Sequence, residues 1–190
     1  DLQGAVYYTY AALGSDLKSQ NGFWVVDRSP QRVYGVELSA EATLNSHLSL
    51  GASFAALEGR KQLPDGSWRG YMSGQSIPPL KVTAHVSYRP LKDLALRLFA
   101  LHTGSRDRFA PTTNPATGVS QYEEGEGPVK PITLLSLQGN YRLGAFTLGL
   151  GVENLLNTSY YPIQSQLVAR DAEYTQGNGR MITLSLGYRF

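Results

Sequence analysis

The last twelve residues, GRMITLSLGYRF, fall into two interleaved sets. Ile182, Leu184, Leu186, Tyr188 and Phe190 are apolar or aromatic, while Thr183, Ser185, Gly187 and Arg189 are small or polar. The same two-residue alternation recurs upstream. FTLGLGVE sets Phe146, Leu148, Leu150 and Val152 against Thr147, Gly149, Gly151 and Glu153. KVTAHVSY sets Val82, Ala84, Val86 and Tyr88 against Lys81, Thr83, His85 and Ser87. VYGVELSAE and HLSLGASFA follow the pattern, with Tyr34, Val36, Leu38, Leu48, Leu50 and Phe54 on the apolar side. LALRLFAL and ITLLSLQGNY alternate less regularly, but Arg97 and Gln138 stand where polar residues belong. Successive side chains point to opposite faces of a strand, so each stretch predicts a strand with one apolar face.

A soluble sandwich alternates in the same way, with its apolar face turned inward. The connections distinguish the two. Counting back from Phe190, the gaps run long at 154–179, short at 142–145, long at 104–130, short at 89–93, long at 58–79, short at 43–46 and long at 13–31. Repeated gaps of this length count against a compact soluble domain. Short turns at one end and long loops at the other are the rule for an outer-membrane barrel. In lipid every backbone N–H and C=O needs a protein partner, so such a sheet must close, with its apolar face outward. The expected fold is therefore an all-β, antiparallel transmembrane β-barrel wall of about eight strands. Tyr10, Tyr34, Tyr88, Tyr141 and Tyr188 lie near strand ends, where an interfacial girdle would use them.

Composition narrows the function classes. Charged residues make up 17% of the 190-residue chain, against about 25% in soluble domains. The net charge of +2 offers no polybasic case for nucleic acid. Without cysteine there is no disulfide, thiolate nucleophile or Cys-ligated zinc. His47, His85 and His102 are far apart and form no ligand-spaced pair, so no metal site is expected; they are expected to line a wet lumen or a strand end. GYMSGQS lacks the Gly-x-Ser-x-Gly order, and EEGEG lacks a calcium-loop spacing. No catalytic residues and no cofactor are expected, which sets a lipase-like or protease-like barrel aside. The start at DLQGAVYYTY suggests either a removed leader or a piece of a longer chain.

GVENLLNTSYYP (residues 151–162) and the final GRMITLSLGYRF together resemble the C-terminal barrel region of TonB-dependent outer-membrane receptors. The matching positions are Gly151, Glu153, Asn154, Leu155, Asn157, Tyr160 and Tyr161, then Gly179, Arg180, Leu184, Tyr188, Arg189 and Phe190. That resemblance implies a barrel of about 22 strands filled by a plug. Residues 1–190 would be its C-terminal part, with the plug and TonB box outside this chain. It implies a receptor that imports a scarce nutrient, above all a ferric siderophore. Its expected partners are the remaining barrel strands and plug, the TonB complex, the barrel assembly machinery and the lipid bilayer. The alternative is a small, self-closing eight-stranded barrel with a structural or adhesive role.

Under that reading each residue type has an expected place. Arginines and tyrosines in long loops can hold an anionic, aromatic-rich ligand through charge-assisted bonds and stacking. The loop candidates are Trp68, Tyr71, Arg106, Arg108, Tyr122, Tyr161 and Arg170. Glu37, Arg97, Glu153 and Arg189 are expected on the lumen face, toward a plug. Tyr188 and Phe190 resemble the terminal aromatic signal read during barrel assembly. Asn154 and Asn157 are read as turn formers at the exit of a strand.

Overall fold

A computed structural model describes residues 1–190 apart from 21–22 and 168–172, and leaves the side chains of 18–20 undescribed. Eight long strands follow one another across a single antiparallel sheet. They are β1 (Leu2–Gln20), β2 (Phe23–Thr43), β3 (Leu48–Lys61), β5 (Lys81–Leu91), β6 (Leu94–Thr103), β9 (Ile132–Leu143), β10 (Phe146–Glu153) and β11 (Met181–Tyr188). Between them lie the short β4 (Gly70–Tyr71), which pairs with β3, the small ribbon of β7 (Thr112–Thr113) and β8 (Ser120–Gln121), and a one-turn helix α1 (Ile163–Gln166).

The register aligns the two sets across the whole sheet. Glu41 pairs with Gly51, Gly51 with His85, His85 with Phe99 and Phe99 with Ser136. One step over, Leu38 pairs with Phe54, Phe54 with Val82 and Val82 with His102. One face is thus mainly small and polar, the other mainly apolar, as alternation demands. No second layer covers the apolar face among the described residues: Leu184 is 77% and Leu148 46% exposed. Phe99, Leu101 and Leu134 fall on the polar side, which is why β6 and β9 alternate poorly in sequence.

All five strand-end tyrosines are exposed on the apolar face, Tyr10 and Tyr34 toward the long loops, Tyr88, Tyr141 and Tyr188 toward the short turns. On β3 the partners of Tyr34 and Tyr88 are Glu58 and Leu48, ten residues apart. At about 3.3 Å per residue that is roughly 33 Å along the strand. The usual barrel tilt reduces it to about 25 Å, the height of a lipid-facing band.

The short turns are tied to their neighbours. Gly144 (φ 61°) closes the β9–β10 turn, where a left-handed residue is required. Arg142 donates to Asp93 at 2.8 and 2.9 Å, joining that strand to the β5–β6 turn. His47 Nδ1 lies 2.7 Å from the Arg89 carbonyl and fastens the β2–β3 turn.

Three expectations are corrected. Among its described residues the stretch 13–31 is not a loop: β1 and β2 continue their ladder as far as Gln20 and Phe23, with a bulge between Ala11 and Gly14. Above the apolar band there is nothing for a greasy stripe to face, so the paired backbone persists without the pattern. The terminal strand ends at Tyr188; Arg189 adds one further bond, its N–H donating to the Ala145 carbonyl at 2.9 Å. The self-closing alternative is not favoured: the sheet runs in order from β1 to β11, and these two strands do not pair with each other among the described residues.

Candidate functional site

The described parts of the three long connections 62–80, 104–131 and 154–180 meet at one rim and bury a small apolar core. Gly59, at a polar-face position of β3, has the side chains of Met72 and Ile77 directly over it, so the first loop folds across that face. Met72, Ile77, Val129 and Leu167 are 2–6% exposed. Backbone bonds run from loop to loop: Gly74 N–H to Gly125 C=O and Gly125 N–H to Leu167 C=O, both 2.6 Å. Gly74 lies so close to Leu167 and the Gly125 carbonyl that a Cβ there would collide.

Polar side chains clasp this cap. Gln166, 1% exposed, accepts from the Lys130 N–H at 2.8 Å and donates to the Tyr161 carbonyl at 2.8 Å. Asp16, on the β1 extension and 2% exposed, accepts from the Ser73 N–H at 2.9 Å and the Ser76 hydroxyl at 2.7 Å. Lys61 bridges to Asp27 at 3.0 Å and stands 3.9 Å from Asp16. Arg106 donates to the Met72 carbonyl at 3.0 Å, which joins the second loop to the first. Burial pushes the Arg106 guanidinium below its usual value, and the Glu58 carboxylate opposes that shift. Asn154 (φ 48°) and Asn157 (φ 54°) act as turn formers, as their residue type predicts. Asn154 bonds Thr158 and the Asn178 carbonyl, and Asn157 accepts from the Arg180 N–H.

The expected ligand residues separate into two groups. Tyr122 and Tyr161 belong to the cap loops, and Tyr161 stacks edge-on with Tyr174 at 5.4 Å. Arg106 is an internal tie. Trp68, Tyr71 and Arg108 sit instead with outward-facing residues of β2 and β3. Arg32 stacks over Trp68 at 4.6 Å and Arg60 over Tyr71 at 3.8 Å; Arg108 pairs with Glu58 at 3.2 Å. Arg32 and Arg60 continue the outward registers of Tyr34 and Val36, and of Phe54 and Ala56. Sequence reasoning passed over both, although their even spacing from Tyr34 and Ala56 carried the signal. Arg170 lies outside the described residues.

Glu37, Arg97 and Glu153 occupy the polar face, and all are exposed. Among the described residues neither they nor Arg189 form an ion pair; Glu41 reaches His85 at 3.5 Å across Gly51, which has no side chain to block it. His47 lies at the short-turn rim, and His102, on the apolar face, bonds Thr133 Oγ1 at 2.8 Å. No three His, Asp or Glu side chains among the described residues converge on a metal-sized point.

Residues 2–155 match the family model described as TonB dependent receptor-like, beta-barrel. Solved structures with the same fold include the ferric-catecholate import receptor Fiu of E. coli K12 (18% identity, TM-score 0.67), and the copper transporter OprC (22%, 0.72). The ferric enterobactin receptor PfeA of Pseudomonas aeruginosa is a third (15%, 0.65). The chain is covered by 100%, 100% and 97% respectively, and it spans only 25%, 28% and 28% of those proteins. At these identities the likeness is one of fold.

Proposed function

This chain belongs to the TonB-dependent receptor-like β-barrel family, and from that premise we propose that it supplies wall and ligand mouth to an outer-membrane importer of a scarce nutrient. Receptors and transporters make up the family, and the bacterial outer membrane is where it resides. The carrying observation is the interlocked three-loop cap over a polar inner wall, at the rim opposite the short turns. A cap in that place meets a solute before the lumen does.

Residues 1–190 then form the C-terminal stretch of a larger barrel, whose other strands pair with the open edges of β1 and β11. A plug from the rest of the protein would meet Glu37, Arg97, Glu153 and Arg189, which form no ion pair among the described residues. The favoured cargo is a ferric siderophore of catecholate type, with Tyr122 and Tyr161 presenting aromatic and hydroxyl groups to it. Energy would reach the plug through the TonB complex. Tyr188 and Phe190 would serve the assembly machinery.

The test is uptake of radioactive iron supplied as a ferric catecholate, in cells carrying or lacking the full-length gene under iron limitation. Uptake should depend on the gene and vanish when the membrane is de-energised. Equal uptake in both strains, with the receptor present in the membrane, would remove the iron reading.

A further inference from the structure

Among the described residues, the outward rim of β1–β3 carries Arg and Glu where the outward positions of the other long strands carry no Arg, Lys, Asp or Glu. At the short-turn rim the outward positions are Leu48, Tyr88, Tyr141, Phe146 and Tyr188. At the long-loop rim Tyr10 pairs with Arg32, Arg32 with Arg60, and Arg60 with Tyr71. Arg108 stands over the same Tyr71 ring as Arg60, at 5.6 Å, and already occupies the Glu58 carboxylate. Arg32 and Arg60 form no ion pair among the described residues. Among the described residues the buried Arg32 Nε has no hydrogen-bond partner, and the Arg60 guanidinium makes one long bond, 3.5 Å to the Arg69 carbonyl. Stacking on Trp68 and Tyr71 fixes both planes; Arg32 Nε is sealed from solvent, so donation to a phosphate falls to the terminal Nη groups of Arg32 and to the Arg60 guanidinium.

Just below lies a groove of about 440 Å³, with Val6, Val36, Ala56, Pro78 and Leu80 in its walls and Arg108 at its margin. Arg106 also lines it; this side chain is 8% exposed and its Nη1 is unpartnered. A second outward hollow of about 500 Å³, between β6 and β11, has an apolar lining and no charged side chain. Apolar walls suit an acyl chain anywhere on this face; of these two hollows only the first adds charge, Arg106 and Arg108 together with Glu58.

We infer that this rim is a binding site for a phosphorylated lipid, its acyl chain in the groove and its phosphate held by Arg32, Arg60 and Arg108. Planar guanidinium forks match a phosphate bidentately, and aromatic rings at the same height anchor the interface. The site rests on the outward face meeting lipid, and is independent of the nutrient carried.

The experiment is native mass spectrometry of the full-length receptor, released from detergent and titrated with diphosphorylated lipid A. Bound lipid should survive at low micromolar concentration and fall about tenfold with dephosphorylated lipid A, a comparison that needs no variant. The double variant R32Q/R60Q should show a similar fall, while R32K/R60K, which keeps charge but loses the fork, should lie between. Nutrient uptake should be unchanged in R32Q/R60Q. Equal retention of both lipids by the unaltered receptor, or undiminished retention by folded R32Q/R60Q, would overturn the site. Lost nutrient uptake with undiminished lipid retention would reassign the arginines to the cargo.

Discussion

Leu184 in the wall is 77% exposed, and Leu167 in the cap is 3% exposed. Leu184 sits on a strand whose every residue is exposed, in a ladder with β10 that satisfies the backbone. Leu167 has little regular structure around it, yet three loops close over it. The wall depends on an apolar solvent that is not part of the chain, and the cap makes its own interior. Substitutions should therefore be sensitive to face in the wall, and to hydrogen-bond partners in the cap.

Neighbouring residues in β11 give the largest contrast. Leu184→Arg, midway along an outward row, should cost roughly 2–4 kcal/mol of folding in lipid. Thr183→Arg, on the inner face beside the side-chain-free Gly151, should change stability by about 0.5 kcal/mol or less. Unfolding titrations of the full-length protein in vesicles measure both. Equal costs would mean that the apolar face does not meet hydrocarbon.

In the cap the next largest effect falls on Gln166. Gln166→Ala strands the Lys130 N–H and the Tyr161 carbonyl, at a cost of about 1–3 kcal/mol. The loss should be local: faster hydrogen exchange at Lys130 and faster proteolysis between 154 and 180, with β9 and β10 unchanged. Asn154 stands where cap and wall join. Asn154→Ala removes three side-chain bonds and places an alanine at φ 48°, about 1–2 kcal/mol together. Asn154→Gly keeps the backbone conformation and should recover part of that. A glycine variant no better than alanine would show that the bonds dominate.

The same contrast explains what the amino-acid order made readable. β10 coincides with FTLGLGVE because lipid on one side and lumen on the other impose a period of two. The β1–β2 extension escaped because Ser15, Asp16, Asp27 and Arg28 have no apolar phase to display. Met72, Ile77, Val129 and Leu167 escaped for another reason: they come from three separate loops and share no period. The side taken by Trp68 and Tyr71 is set by the pairing of Tyr71 with Arg60, a contact the local sequence does not announce. Family membership rests on residues 2–155, whereas the phrases that first suggested it lie largely beyond, from Gly151 to Phe190. The family match thus lies mainly in the strands and loops ahead of the terminal phrases.

The smallest expected effect belongs to the short-turn rim. There Arg142 reaches Asp93 with Nε and Nη2 on one carboxylate oxygen, and its own N–H donates to the Asp93 carbonyl. The side chains are 58% and 41% exposed, so water competes for the charges. Arg142→Ala should cost only about 0.2–1 kcal/mol, shrinking further as salt is raised. The backbone bond survives the substitution and continues to hold the turn. A larger, salt-insensitive loss would mean that this rim, like the cap, is sealed from water, and the division between an environment-dependent wall and a self-contained cap would then have to be redrawn around both ends of the barrel.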